Sequence, residues 1–251
     1  NNRGAIAPGY LADFVIIDDF DHFNIEKVYK RGVLMVDHGV VADFPAPEID
    51  PYLVNRAHDT FHVAPLTAAD FTDSRPHAVI GMVNGEITTT DGGYTDRIDV
   101  DYDILKIAVI ERHKNTHHIG LGYIKGYGLQ KGAVATSISH DSHNIIACGV
   151  SPEDIAFAVN ELKKMHGGII VVENGQVQAR LPLEVAGLFT DRPLPEVNEK
   201  LEHCKAAAWA QGVNRGIDPF MTLSFASLPV IPALRLTTKG VFNVNTLTFV
   251  E

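Results

Sequence analysis

The sequence is short of the features that mark several large classes of protein. Only two cysteines occur, Cys148 and Cys204, far apart and in apolar surroundings. That excludes a disulfide framework or a thiol-based zinc set and fits a reducing, cytoplasmic setting. Basic runs are missing too: 21 Lys and Arg stand against 31 Asp and Glu, a formal net charge of -10. A nucleic-acid partner would need clustered cations on one face, so none is expected. Apolar runs such as Ile169 to Val172 are far too short to cross a bilayer, and no charged-then-apolar leader opens the chain, so no membrane partner is expected either. There is no initiator methionine. The chain starts on Asn1 and Asn2 and runs at once into strand-like sequence, as a piece of something longer would.

What is present is an ordinary globular composition, 251 residues with 45% hydrophobic and 21% charged content. That is enough for one large core or two modest ones. The densest chemistry lies in His140, Asp141, Ser142, His143 and Asn144: two imidazoles, a carboxylate, a hydroxyl and an amide in five consecutive residues. The stretch falls between two apolar segments that read as strands, Gly132 to Ser139 and Ile145 to Cys148, a junction of the kind where folds place chemistry.

Taken in order, Pro8 and Gly9 form a turn before an apolar strand ending near Asp18. Glu26 to Arg31, a turn at Gly32, Val33 to Val36 and a turn at Asp37 to Gly39 continue an antiparallel meander. Asp43 to Pro51, with three prolines among acids, reads as a linker, which puts the domain division at 1–54 and 55–251. Asn55 to Pro65 is expected to be extended, and Thr67 to cap a helical turn. His77 to Thr90 reads as a hairpin closed by Asn84-Gly85 and ended by Asp91 to Gly93.

Ile104 to Glu111, His118 to Gly126 and Gly132 to Ile138 are candidate strands. The glycines in the last two suggest bulges and turns in a curved sheet, or close approach of another backbone or a ligand. Ser151 to Asp154 is a strong helix start, with an apolar stripe from Ile155 to Met165 and a stop at Gly167-Gly168. Asn174-Gly175 closes a hairpin. A second long helix runs from about Pro195 to Gln211, a short one starts at Asp218-Pro219, and Leu234 to Phe249 reads as strands. Helices and strands are segregated, so the fold class is α+β with a mixed or antiparallel sheet and two long helices.

Two tracts carry resemblances. Pro8 to Val15, followed by the hairpin Val28 to Val33, resembles the small β-sandwich domain of the amidohydrolase superfamily. Gly120 to Ala135 leading into Ser139 to Ile146 resembles the C-terminal domain of bacterial adenine deaminases, and so do Gly167 to Val172, Leu181 to Leu188 and Asp218 to Pro229. Together these span nearly the whole chain. The resemblance implies hydrolytic deamination of adenine to hypoxanthine and ammonia in purine salvage, a divalent metal (manganese or iron), an upstream (β/α)8 barrel and a homo-oligomer. The barrel's His-x-His ligands have no counterpart here, and a barrel alone needs about 250 residues. The chain by itself is therefore expected to be inactive.

For the polar quintet the functional reading makes His140, Asp141, His143 and Asn144 contributors to the active site, with Glu184 as a further catalytic candidate. In an extended backbone His140, Ser142 and Asn144 face one side and Asp141 and His143 the other. A metal site on His140, Asp141 and His143 therefore needs a turn at Ser142. In another version Asp141 orients one imidazole while the other reaches the purine or the departing ammonia. The plain structural reading is a polar turn whose Asp and Asn cap neighbouring amides. His113, His117 and His118 read as a solvated loop that could supply ligands, and Arg112 as a partner for a carboxylate of the quintet. Glu184 could equally be one exposed acid on an edge strand, and Trp209 reads as packing. The rival to a catalytic contribution is a noncatalytic assembly or ligand-binding module.

Overall fold

The structure, a computed structural model, describes residues 2–45 and 47–250. The chain forms two compact units, residues 1–50 and 51–251. The first is a four-stranded antiparallel meander, β1 (Phe14–Ile17), β2 (Ile25–Lys30), β3 (Val33–Asp37) and β4 (Val40–Val41), paired in sequence order. The turns fall at Arg31-Gly32 and His38-Gly39, where positive φ at all four residues matches the twist of a tight hairpin. None of its described residues is buried.

The second unit opens with α1 (Pro51–His58), where an extended segment was expected from Asn55 onward. Pro51 takes a first-turn position whose N–H is not needed, and Arg56 and His58 face the negative helix end. Its main sheet has eight strands: β5 (His77–Met82), β6 (Thr89–Thr95), β7 (Ile104–Ile110), β8 (Ile119–Lys125), β9 (Ala133–Thr136), β10 (Ile145–Gly149), β11 (Gly168–Glu173) and β12 (Gln176–Pro182). Their spatial order is β12-β11-β9-β10-β7-β8-β5-β6, and every pair is antiparallel except β5 with β8. Two long helices, α2 (Pro152–Lys164) and α3 (Leu194–Ala210), a short α4 (Pro219–Phe225), and a small sheet of β13 (Leu234–Thr237), β14 (Gly240–Asn243) and β15 (Thr248–Phe249) complete an α+β fold.

Alternate residues of the central strands feed two cores. Leu105, Ile107, Val109, Val134, Ile146 and Cys148 pack with α3, α4 and the small sheet. Ala108, Ile110, Ala133, Ala135, Ile145 and Ala147 pack with α2 and the segment from Phe61 to Phe71. Burial on both faces explains why these strands read as unbroken apolar runs. No helix among the described residues is long and apolar enough to cross a membrane.

Local chemistry sets the ends of the elements. Ser151 Oγ accepts the Asp154 N–H at the start of α2, and the Asp154 carboxylate in turn accepts the N–H groups of Asn174 and Gly175. That fixes the two-residue β11–β12 turn, whose φ values of 50° and 67° suit Asn-Gly. The glycines of β8 answer the question left open above: a Cβ on Gly120 would lie 1.8 Å from the Thr237 carbonyl oxygen. Close approach of the β13–β14 turn is what excludes a side chain there.

The β5–β6 hairpin departs from expectation. The two strands pair, but residues 83–88 form a longer loop than Asn84-Gly85 alone would make, and β6 runs straight through Gly92 and Gly93. A Cβ on Gly92 would meet Val79 at 3.0 Å, and the pairing shifts register between Ala78 and Ile80. Here glycine serves a bulged pairing, not a strand end.

One charged residue lies inside this sheet. Lys106 of β7 is buried, its Nζ has no hydrogen-bond acceptor among the described residues, and it sits 4.0 Å from the centroid of the Tyr123 ring. Burial pushes its pKa from 10.5 down to about 8. A base whose pKa is lower folded than unfolded destabilises the fold fully below the folded value, and the penalty fades as pH rises from about 8 toward 10.5. Lys106→Met is therefore expected to stabilise the protein at pH 7 by on the order of 2 kcal/mol, with the gain shrinking above pH 8. Denaturant titrations at pH 7 and pH 9.5 check this, and a gain that grows with pH would contradict it.

Candidate functional site

The polar quintet sits in the loop between β9 and β10, neighbours in the sheet, where His140 to Ser142 form a turn. Its backbone is held at His140, Ser142 and His143. His140 N–H donates to the Ser224 carbonyl (3.3 Å) and His143 N–H to the Ser139 carbonyl (2.6 Å). Ser139 Oγ and Ser227 Oγ are 2.5 Å apart, and Ser227 Oγ is 3.2 Å from the His140 carbonyl oxygen. The Ser142 carbonyl lies 2.8 Å from His113 Nε2. The His143 carbonyl accepts from Arg112 Nε at 2.5 Å. His143 itself has φ 50°, in the left-handed region that non-glycine residues occupy at a cost.

Arg112, in the loop that links β7 and β8, organises the surroundings. It is buried, and besides the His143 carbonyl it donates to the carbonyls of Thr60 (3.2 Å) and Ala186 (3.0 Å), with its guanidinium carbon 4.8 Å from the centre of the Phe61 ring. The expected carboxylate partner from the quintet is not there; three main-chain oxygens take its place. Burial lowers its pKa to about 10, which leaves it charged at neutral pH.

The side chains of the quintet are largely unspent. Neither Asp141 nor Asn144 accepts a backbone amide among the described residues, so the capping reading does not describe this turn. Asn144 is buried; its Nδ2 donates to Ser142 Oγ (3.1 Å) and its Oδ1 has no partner among the described residues. His143 Nδ1 is likewise buried and without a partner among the described residues. Burial, then the neighbouring His140 and Arg112, hold His143 below the ordinary histidine value, so it is neutral near pH 7. The His140 ring lies 6.2 Å from that of His143 and 4.9 Å from that of Phe225 on α4. Asp141 is largely exposed, with an oxygen 3.9 Å from His140 Nδ1. His140, Asp141, Ser142 and Asn144 line a pocket of about 260 Å3 together with Ser227 to Val230 and the end of β13.

The remaining candidates separate from this group. Glu184 pairs with Arg192 at 3.5 Å, and no hydrogen bond or ion pair joins it to the quintet among the described residues. Burial works to raise its pKa, but hydrogen bonds from its own backbone amide and the Thr190 side chain, followed by the charge and hydrogen bond of Arg192, outweigh that and hold it below the ordinary range. Its link is indirect, through Arg112 and the Ala186 carbonyl two residues on. His113 joins the site through Ser142, while His117 pairs with Asp70 at 3.0 Å. Trp209 packs at the edge of the core as expected.

As metal ligands, His140, Asp141 and His143 do not fit. Among the described residues the one trio of His or acidic groups with ligand atoms within 4.8 Å is the exposed Asp18, Asp19 and His22. There the two carboxylates accept loop hydrogen bonds from Asp19, Asp21, His22 and Asn24. The quintet fails as a metal site because its turn leaves Asp141 largely exposed while His143 Nδ1 is buried.

Fold and site thus define an α+β domain carrying a small pocket walled by an amide and an imidazole. Residues 81–248 match the family described as adenine deaminase C-terminal domain. The chain is 42% identical to adenine deaminase 2 of Carboxydothermus hydrogenoformans over 255 residues, covering 98% of this chain and 44% of that protein. It is 42% identical to the adenine deaminase of Nitratidesulfovibrio vulgaris strain DP4 and 39% identical to that of Geobacillus kaustophilus, each match covering 99% of this chain and 44% of the relative. The chain belongs to the adenine deaminase family through this C-terminal domain, and it spans less than half the length of these curated relatives.

Arg112→Met, which keeps the side chain's apolar stem, leaves three part-buried carbonyls without their Arg112 donor. Each such loss costs about 1–3 kcal/mol, so a destabilisation of roughly 3 kcal/mol or more is expected in denaturant unfolding. A change under 1 kcal/mol would show that the three carbonyls are satisfied in another way.

Proposed function

We propose that this chain is the C-terminal part of an adenine deaminase, which converts adenine and water to hypoxanthine and ammonia, and that the quintet faces the reacting base. The observation that carries the reading is the division of labour in the loop from Ser139 to Asn144. Its main chain is tied down by Arg112, His113 and Ser224, while His143 Nδ1 and Asn144 Oδ1 are left without partners among the described residues. Buried polar groups are normally paired, and one left over calls for a reason, a catalytic role among them.

In this reading the neutral His143 holds or passes a proton at Nδ1, Asn144 orients an N–H of the base, and Asp141 orients His140. Glu184, ionised beside Arg192, is a positioning residue for the segment that Arg112 grips. A divalent metal, manganese or iron, belongs to an upstream barrel, because the residues of this chain do not fit it. The four-stranded sheet of the first unit would be one part of an amidohydrolase-type sandwich, consistent with its having no buried residue among those described. A homo-oligomer working in purine salvage in the cytoplasm completes the reading, and the two buried free cysteines suit a reducing compartment.

In the full-length protein, His143→Ala and His140→Ala are each expected to lower kcat by about 100-fold with little change in Tm. If instead Tm falls and the folded enzyme keeps normal turnover, the domain is an assembly module and the catalytic reading is lost.

A further inference from the structure

The chain carries a formal net charge of -10, yet one hollow of the second unit is lined by no carboxylate. It has a volume of about 510 Å3 and is walled by three separate stretches of chain. His62 comes from the segment before β5, His113 and Lys114 from the loop between β7 and β8, and Lys163 from the last turn of α2. Phe61 and Val63, both almost fully buried, give it an apolar floor.

Neither Lys114 nor Lys163 enters an ion pair among the described residues, and Glu161, the acid nearest to Lys163 in sequence, is taken by Lys164. Two acids lie close without lining the hollow. Asp59 has an oxygen 3.9 Å from His62 Nδ1, and Glu111 accepts the N–H groups of His113, Lys114 and Thr116 and the Thr116 hydroxyl. Those four bonds fix the backbone that presents Lys114, so the loop is in place before a ligand arrives.

A third cation stands behind the floor. The Arg112 guanidinium carbon is 4.8 Å from the centre of the Phe61 ring, and among the described residues the buried group donates only to main-chain carbonyls. Carbonyls meet its donors and leave its charge in place. Arg112 does not touch the hollow's contents, but a buried charge is screened less than an exposed one, so its field adds to that of the two lysines. Three fixed positive charges thus stand against Asp59 and Glu111, a positive balance in an acidic chain.

Two ammonium groups facing one hollow suit an anion with several oxygens, and a phosphate is such an anion. Two lysines are too few to follow a nucleic-acid backbone, while about 510 Å3 falls within the roughly 300–1,000 Å3 of small-molecule sites. We propose that Lys114 and Lys163 bind the phosphate group of a small molecule in this hollow, beside the imidazoles of His62 and His113. The hollow shares no lining residue with the pocket beside the quintet, and the proposal does not depend on the activity inferred above.

The test is calorimetric titration of inorganic phosphate, AMP and adenosine into the full-length protein at fixed ionic strength. Saturable binding of phosphate or AMP is expected, and the tighter of the two tells a free ion from an organic phosphate. Adenosine, which has no phosphate, should not displace inorganic phosphate. The double variant Lys114→Gln with Lys163→Gln should weaken binding about tenfold or more. Lys164→Gln removes a like charge from the neighbouring residue, which does not line the hollow, and should leave affinity unchanged. All three lysines are at least partly exposed, so these variants are expected to fold, with Tm as the check. Lack of saturable binding, displacement of phosphate by adenosine, an equal loss in Lys164→Gln, or unchanged affinity in the double variant overturns the proposal. None of these readings uses turnover, so the proposed function stands or falls separately on His143→Ala and His140→Ala.

Discussion

The buried guanidinium of Arg112 holds together three stretches that are remote in sequence. Its Nε, Nη1 and Nη2 each donate to a main-chain carbonyl, those of His143, Thr60 and Ala186. A charged group removed from water is tolerable only if its donors are met, and a planar fork can meet three carbonyl dipoles at once where an ammonium could not. The result is that the segment before β5, the β9–β10 loop and the stretch after β12 share one fixed point. A Cβ on Gly187 would come within 2.9 Å of that guanidinium, so the chain at Gly187 must stay bare for the arrangement to close.

Arg235 repeats the device elsewhere in the unit. It too is buried, and among the described residues it donates only to carbonyls, those of Ile231, Phe225, Ile87 and Pro232. Burial brings its pKa to about 10. It anchors the end of α4, whose Phe225 ring backs His140, and the loop that joins β5 to β6. Two cations without carboxylate partners thus brace the irregular chain around the sheet. They do so by satisfying backbone oxygens that loops, unlike strands, cannot pair among themselves.

Much of the regular structure could be read from local chemistry. Ser151 with Pro152, Asp218 with Pro219 and the Asn174-Gly175 turn act within a few residues, and each forms as its side chains and φ preferences dictate. The hairpin of β5 and β6 and the helix α1 were less legible. The glycines of β6 answer to Val79 across the sheet, and the helix at Pro51 was hidden among prolines that read as a linker. The candidate site was legible as a place and not as an arrangement. His140 to Asn144 stood out by density alone, yet nothing local said that the backbone would be tied by Arg112, that Asp141 would point to solvent, or that Glu184 would pair with Arg192. Arg235 gave no signal at all, because its partners are carbonyls, which every residue has.

The sequence by itself determined the α+β class, most element boundaries and the position of the polar loop, since these depend on periodicity, capping and turn residues that act over short distances, and the resemblance of whole tracts carried the deaminase kinship. Only the tertiary structure decided which of the loop's polar atoms remain unpaired, what walls the pocket, and why Gly120 cannot carry a side chain. Those outcomes turn on whether a main-chain oxygen from more than a hundred residues away comes within a few ångströms, as Thr237 does at Gly120, and no local pattern encodes that distance.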